Sequence, residues 1–230
     1  MVEDMSMTDL LIVAGCSFSY SNLEVYKQHG IFAWPKLVAE HLNMELIEIS
    51  RAGASNSYIE NAVTDSILKY KHRDPIVMVL WSQPSRVNGN DCYTYFLEPE
   101  TAVNEWWCSH WNITHEDIPY LHVINSLRSI WRTKAFAEQH DIEYHHDLSG
   151  CWYIPFTKAL KVDWKETKDK IRKNWYFQNL EFSIKKLDGS ADYSKIPDDG
   201  HPDQESHEKI ANGFIDKYNR KFKNKEFIYD

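Results

Sequence analysis

The chain contains no apolar run near the roughly 18 residues that a membrane-spanning helix needs, so no transmembrane helix is expected. It is also short of positive charge. Its 26 Lys and Arg stand against 34 Asp and Glu, a net charge of -8, and the basic residues are scattered. Binding nucleic acid through its phosphates calls for concentrated basic charge, so a nucleic-acid partner is not expected. Cysteine is sparse: four residues, at 16, 92, 108 and 151, form neither a CxxC pair nor a zinc pattern. The segment Met1-Val2-Glu3-Asp4-Met5 is acidic and lacks the charged-then-apolar order of a signal peptide. Reduced thiols in a cytoplasm are therefore the expected state. The 11 histidines include a cluster between His110 and His146, but none falls in HExxH or a comparable spacing, so no metal site is expected.

What is present reads as a soluble globular protein. Hydrophobic residues make up 43% and charged residues 26%, and 230 residues suffice for one α/β domain with a sizeable core. Leu10 to Ala14 is a continuous apolar run closed by Gly15, as in a buried parallel strand. Trp34 to Leu42 has helical apolar spacing, with Pro35 acceptable in the first turn. Glu45 to Ile49 alternates as a strand, Asn56 to Tyr70 carries one apolar helical face, and Ile76 to Trp81 is the clearest buried strand. A long helix is expected over Ile118 to Gln139, a strand over Ile142 to His146, and a final helix with Ile210, Phe214, Ile215, Tyr218 and Phe222 as its buried stripe. The charged stretch Asp163 to Lys173 suggests another helix. This β-α-β-α-β alternation predicts an α/β fold with a parallel sheet and helices on both of its faces. Residues 85 to 118 break the rhythm. They are rich in aromatics, including Trp106, Trp107 and Trp111, and read as an insertion over the carboxyl edge of the sheet within a single domain spanning 1–230.

In open α/β sheets, sites form outside the carboxyl ends of the strands. Three loops meet that rule: Gly15 to Ser19, Ser50 to Asn56, and Trp81 to Arg86. Ser17 follows the first strand. A serine hydroxyl becomes a useful nucleophile when a base removes its proton and a third group orients that base. Near the other end, Asp198-Asp199-Gly200-His201-Pro202 precedes the last helix. His201 can be the base and Asp198 its orienter, with Asp199 as the alternative. Pro202 biases His201 toward an extended conformation, which places the imidazole on a loop. Strand alternation turns Cys16 away from Ser17 and into the core.

These residues resemble the SGNH hydrolases, also called the GDSL esterase/lipase family. Gly15-Cys16-Ser17-Phe18 stands where that family has Gly-Asp-Ser, Gly53 stands at its second block, Trp81-Ser82-Gln83-Pro84 at its third, and Asp198-x-x-His201 at its fourth. The resemblance implies a three-layer α/β/α sandwich with a mostly parallel sheet of flavodoxin-like topology, and Ser17 as nucleophile, His201 as general base and Asp198 as orienter. It implies the Ser17 and Gly53 backbone N–H groups as oxyanion donors. Gln83 stands in for the family's asparagine on a longer stem, and Cys16 replaces an aspartate that is outside the triad. The run Trp81-Ser82-x-Pro84-Ser85-Arg86 resembles SGNH-like proteins of bacteriophages. Asn56 and Arg86 join Gly53 and Gln83 as candidates for oxyanion or substrate binding, with Arg86 facing an anionic group or pairing with a carboxylate. The expected activity is hydrolysis of a carboxylic ester through an acyl-enzyme, without a cofactor, with an O-acetylated carbohydrate as a substrate class. Two rivals use the same residues: a non-catalytic binding protein, and an acyltransferase in which an alcohol displaces water.

Overall fold

The computed structural model describes residues 9–84, 86–88, 94–96, 118–149, 196 and 199–226. Strands β1 (Leu10–Gly15), β2 (Glu45–Glu48), β3 (Ile76–Trp81) and β6 (Glu143–Leu148) form a four-stranded parallel sheet in the order β2-β1-β3-β6. The helices are α1 (Glu24–Gln28), α2 (Trp34–Leu42), α3 (Asn56–Tyr70), α4 (Ile118–Gln139) and α5 (Gln204–Glu226). A short antiparallel pair, β4 (Arg86–Asn88) with β5 (Thr94–Phe96), follows β3 and stands apart from the main sheet.

Strand alternation explains the layering. Leu10, Ile12 and Ala14 of β1 and Val77, Val79 and Trp81 of β3 face one side, against Ile59, Val63 and Ile67 of α3 and Leu127 and Ile130 of α4. Leu11 and Val13, with Ile76, Met78 and Leu80, face the other side, against Trp34 and Val38 of α2 and Phe214 and Ile215 of α5. Both faces are covered, so β1 and β3 are buried along their whole length and read as unbroken apolar runs. Each large apolar side chain buried this way contributes roughly 1.5–3 kcal/mol. Trp34 and Phe214 join α2 to α5 by stacking, with ring centroids 4.5 Å apart and planes 12° apart.

Element boundaries follow local chemistry. Ser55 caps α3 by accepting the Tyr58 N–H at 3.2 Å, and Asp203 caps α5 by accepting the Ser206 N–H at 3.0 Å. Asn43 ends α2 in the left-handed region at φ 52°. The last parallel strand runs two residues beyond the expected His146, because Asp147 and Leu148 still pair with Leu80 and Trp81. Ile142 falls outside it, held instead by a turn in which its N–H donates to Ala137 O at 2.9 Å. The α1 segment and the 3-10 turn Ser17–Ser19 have no periodic signature in the sequence. The aromatic cluster Trp106 to Trp111, the stretch Asp163 to Lys173 and the Phe222 side chain lie outside the described residues. Among the described residues, no helix is long and apolar enough to cross a membrane.

This strand order sets the location of a site. From β1 the chain moves to β2 on one side, while β3 leads to β6 on the other. The connections therefore diverge between the carboxyl ends of β1 and β3, where open α/β sheets leave a crevice. Ser17 and Ser82-Gln83 lie at those two ends.

Candidate active site

Gly15 ends β1 and makes the turn after it sterically feasible. A Cβ on Gly15 would run into the Ser19 side chain and would lie 2.9 Å from the Leu80 carbonyl oxygen. The chain then folds into the 3-10 turn Ser17–Ser19, with the Ser19 N–H donating to Cys16 O at 2.9 Å. The turn is anchored by Trp34, whose Nε1–H donates to Ser19 Oγ at 3.1 Å. Ser17 is almost fully enclosed, and its carbonyl oxygen accepts the Tyr26 hydroxyl at 3.3 Å. Cys16 is a free thiol buried in the core cluster that includes Ala14 and Trp81, as alternation along the strand predicts.

The loop after β2 is tied to this turn. The Arg51 N–H donates to Gly15 O at 3.1 Å, and the Ala54 N–H closes a turn onto Arg51 O at 3.1 Å. Gly53 lies inside that turn at φ 75°, a conformation that favours glycine. Asn56, the first residue of α3, is buried and donates its Nδ2–H to Ser82 O at 2.9 Å. That bond fastens the start of α3 to the loop after β3, and it occupies one of the two amide protons of Asn56. Asn56 Oδ1 and the Ser82 hydroxyl are buried beside it and meet no hydrogen-bond partner among the described residues. Gln83 is half-buried next to Ser82, and no hydrogen bond of its side chain occurs among the described residues. Arg86 begins β4, and its side chain lies outside the described residues.

His201 comes to this place from the far end of the chain. It lies on the loop before α5, as Pro202 predicts, with its carbonyl accepting the Ile196 N–H at 2.9 Å. Its ring meets Phe18 edge-on at 5.9 Å and Tyr26 edge-on at 6.0 Å. Its Nδ1 is hydrogen-bonded to Asp199 Oδ1, which also accepts the His201 backbone N–H at 3.2 Å. One carboxylate oxygen thus holds both ring and backbone. A proton on Nδ1 leaves Nε2 with its lone pair, the tautomer a general base needs. Asp198 lies outside the described residues, so of the two candidate orienters Asp199 is the one seen in contact. Ser17 and His201 share Tyr26 as a neighbour, but no hydrogen bond links their side chains among the described residues.

Behind this pair lie residues that sequence reasoning did not single out. His207, on α5, is fully buried. Its Nδ1 accepts the Trp34 backbone N–H at 3.3 Å, and its ring meets Tyr26 edge-on at 4.7 Å. Burial pushes this imidazole down to about 4, with the Asp203 carboxylate opposing and His201 adding to the effect. Burial likewise pushes the Tyr26 phenol up, and the neighbouring Cys16 and Asp199 push it further, so the hydroxyl stays protonated and can donate. A lone Tyr in a five-residue helix and a His within an amphipathic helix carry no motif that would have marked them. Among the described residues, no group of three or more His, Cys, Asp or Glu could hold a metal ion.

No protein-family model matches this chain, and no curated protein matches it. Solved structures similar to it include the psychrotrophic esterase EstA from Pseudoalteromonas sp. That likeness has 12% identity, covers 94% of this chain and 99% of that one, and has a TM-score of 0.47. Another is the acetyl xylan esterase AlAXEase, with 12% identity, coverage of 90% and 99%, and a TM-score of 0.41. Likeness at this level says nothing about chemistry, so the functional reading rests on the residues themselves.

Proposed function

We propose that this chain is a serine hydrolase of SGNH type acting on carboxylic esters, with an O-acetylated carbohydrate as the substrate class. The observation that carries the reading is the meeting of two distant segments. His201, oriented by a carboxylate on Nδ1, lies against Phe18 and Tyr26 beside Ser17, at the divergence point of a parallel sheet. In this mechanism His201 Nε2 takes the proton of Ser17 Oγ as that oxygen attacks the ester carbonyl carbon. The backbone N–H groups of Ser17 and Gly53, with the Gln83 amide, hold the negative charge that develops on the carbonyl oxygen. Collapse of the tetrahedral intermediate breaks the ester C–O bond, and His201 returns the proton to the leaving alkoxide. Water, deprotonated by the same imidazole, then hydrolyses the acyl-Ser17. Asp199, with Asp198 as the alternative, stabilises the imidazolium throughout and is not itself protonated.

The test is labelling by a fluorophosphonate together with hydrolysis of p-nitrophenyl acetate. Adduct formation on Ser17 and loss of both signals in Ser17→Ala are the expected results. A folded wild type that neither labels nor turns over short esters or acetylated sugars would refute the reading. One observation favours a second reading, a binding protein that retains the site without turnover: the Ser17 and His201 side chains are not hydrogen-bonded to each other among the described residues. Binding of an acetylated sugar with no turnover would establish that alternative.

A further inference from the structure

We infer that Tyr26 is a positioning residue that sets Ser17 and His201 against each other, an assignment that rests on the serine-hydrolase reading above. Tyr26 is fully buried and touches both groups, which are separated by most of the chain. Its hydroxyl donates to the Ser17 carbonyl at 3.3 Å, while its ring lies edge-on to His201 at 6.0 Å and 88°.

The ring is wedged from behind. His207 meets it at 4.7 Å and 89°, and His207 is held in turn by the Trp34 backbone N–H on Nδ1. Trp34 also donates from Nε1 to Ser19, two residues from Ser17. The contacts therefore close a circuit: Ser17 carbonyl, Tyr26, His207, Trp34, Ser19, and back to the turn. His201 rests on the Tyr26 side of that circuit and also meets Phe18.

A circuit of this kind has a chemical consequence. Proton transfer from Ser17 Oγ needs His201 Nε2 within hydrogen-bond reach, and a misplacement of about 1 Å costs on the order of 10²-fold in rate. Asp199 fixes the rotation of the imidazole on its own loop, and among the described residues no hydrogen bond joins it to the Ser17 turn. Tyr26 does. The hydroxyl fixes the height of the turn and the ring fixes how closely the His201 loop approaches it. Tyr26 is fully buried and offers no surface to an ester, so the effect is expected on kcat and not on KM.

The experiment uses the full chain and compares Tyr26→Phe with Thr133→Val. Thr133 on α4 is also fully buried, and its hydroxyl donates to Ser129 O at 2.8 Å, so its loss matches the deletion of one buried hydrogen bond away from the turn. Tyr26→Phe should lower kcat for p-nitrophenyl acetate about tenfold with KM within about twofold, and should slow fluorophosphonate labelling of Ser17 in parallel. Thr133→Val should leave both rates unchanged at a comparable loss of melting temperature. Tyr26→Leu, which also removes the ring from His201, should lower kcat further, by about 10²-fold. If the leucine variant does not fold, the phenylalanine variant still decides the matter. Ser17-dependent turnover with wild-type kcat in Tyr26→Phe would overturn the assignment of Tyr26 alone. Equal losses in Tyr26→Phe and Thr133→Val would overturn it as well. A folded wild type without turnover or labelling would overturn both this assignment and the hydrolase reading.

Discussion

Strand β6 and the loop entering α5 carry the same local chemistry. Each pairs one histidine with a carboxylate two residues earlier: His145 Nε2 with Glu143 at 2.8 Å, and His201 Nδ1 with Asp199. Each also has nearby a second histidine that burial keeps neutral, His146 on β6 and His207 in the first turn of α5. His146 is pushed down to about 3, chiefly by burial and then by Lys217, and His207 is pushed down to about 4. The difference is place. His145 projects from the middle of a strand toward Tyr218 on α5, whereas His201 stands on a loop against Phe18 and against Tyr26, whose hydroxyl holds the Ser17 carbonyl. A His–carboxylate pair is therefore no sign of catalysis by itself. It becomes one when the fold brings a nucleophile and oxyanion donors to the free ring nitrogen.

The largest expected effect breaks this comparison outright. Ser17→Ala and His201→Ala should each lower kcat/KM for a short ester by about 10³-fold or more, while His145→Ala stays within about twofold. Steady-state hydrolysis with the three purified variants checks this, and equal losses at both histidines would remove the distinction. A second test sharpens the choice of orienter. Asp199→Asn should cost about 10²-fold or more in kcat, because the amide supports the wrong tautomer, and Asp198→Asn should cost less. The reverse ranking would return the role to Asp198.

Smaller effects probe the loops. Gln83→Ala should lower kcat by about 10- to 10³-fold with little change in KM if its amide serves the oxyanion, and not at all if it points elsewhere. The buried histidines predict a pH dependence of stability. In the unfolded chain both titrate near pH 6.5, and in the folded protein only near pH 4 for His207 and pH 3 for His146. The unfolded state therefore binds more protons across that window, so stability rises with pH through it. Stability should be at its plateau above about pH 6.5 and fall as pH drops toward 3, by on the order of 1–3 kcal/mol for His207. Thermal unfolding between pH 7 and 4 measures this. His207→Asn, whose Oδ1 can still accept the Trp34 N–H, should flatten the slope, whereas His201→Ala should leave most of it.

The layers of the molecule were legible because they rest on periodicity. Leu10 to Ala14 and Ile76 to Trp81 are buried on both faces and cannot be polar anywhere, so their apolar runs mark them. The α2, α3 and α4 helices follow their patterns to the residue, since caps and apolar stripes are local features. Ser17, Gly53 and His201 were legible as candidates because each interrupts or follows a periodic segment with a residue that packing does not call for. The 3-10 turn and α1 were not, because their stability comes from partners elsewhere: Trp34 for Ser19, and Ser17 and His207 for Tyr26. Asn56 was read as a substrate or oxyanion donor, and its bond to Ser82 gives it a structural task the sequence does not indicate.

The sequence by itself determined the alternation of strands and helices, the two-sided burial of β1 and β3, and the loops after the strands that carry the candidate polar residues. These follow from spacing along a single segment, where the physics is local. The tertiary structure alone decided which histidine is kept neutral by burial, and that Tyr26 touches both Ser17 and His201. Each of those depends on contacts between segments far apart in the chain, and such contacts exist only once the sheet has closed its order and the two ends of the chain have met over its carboxyl edge.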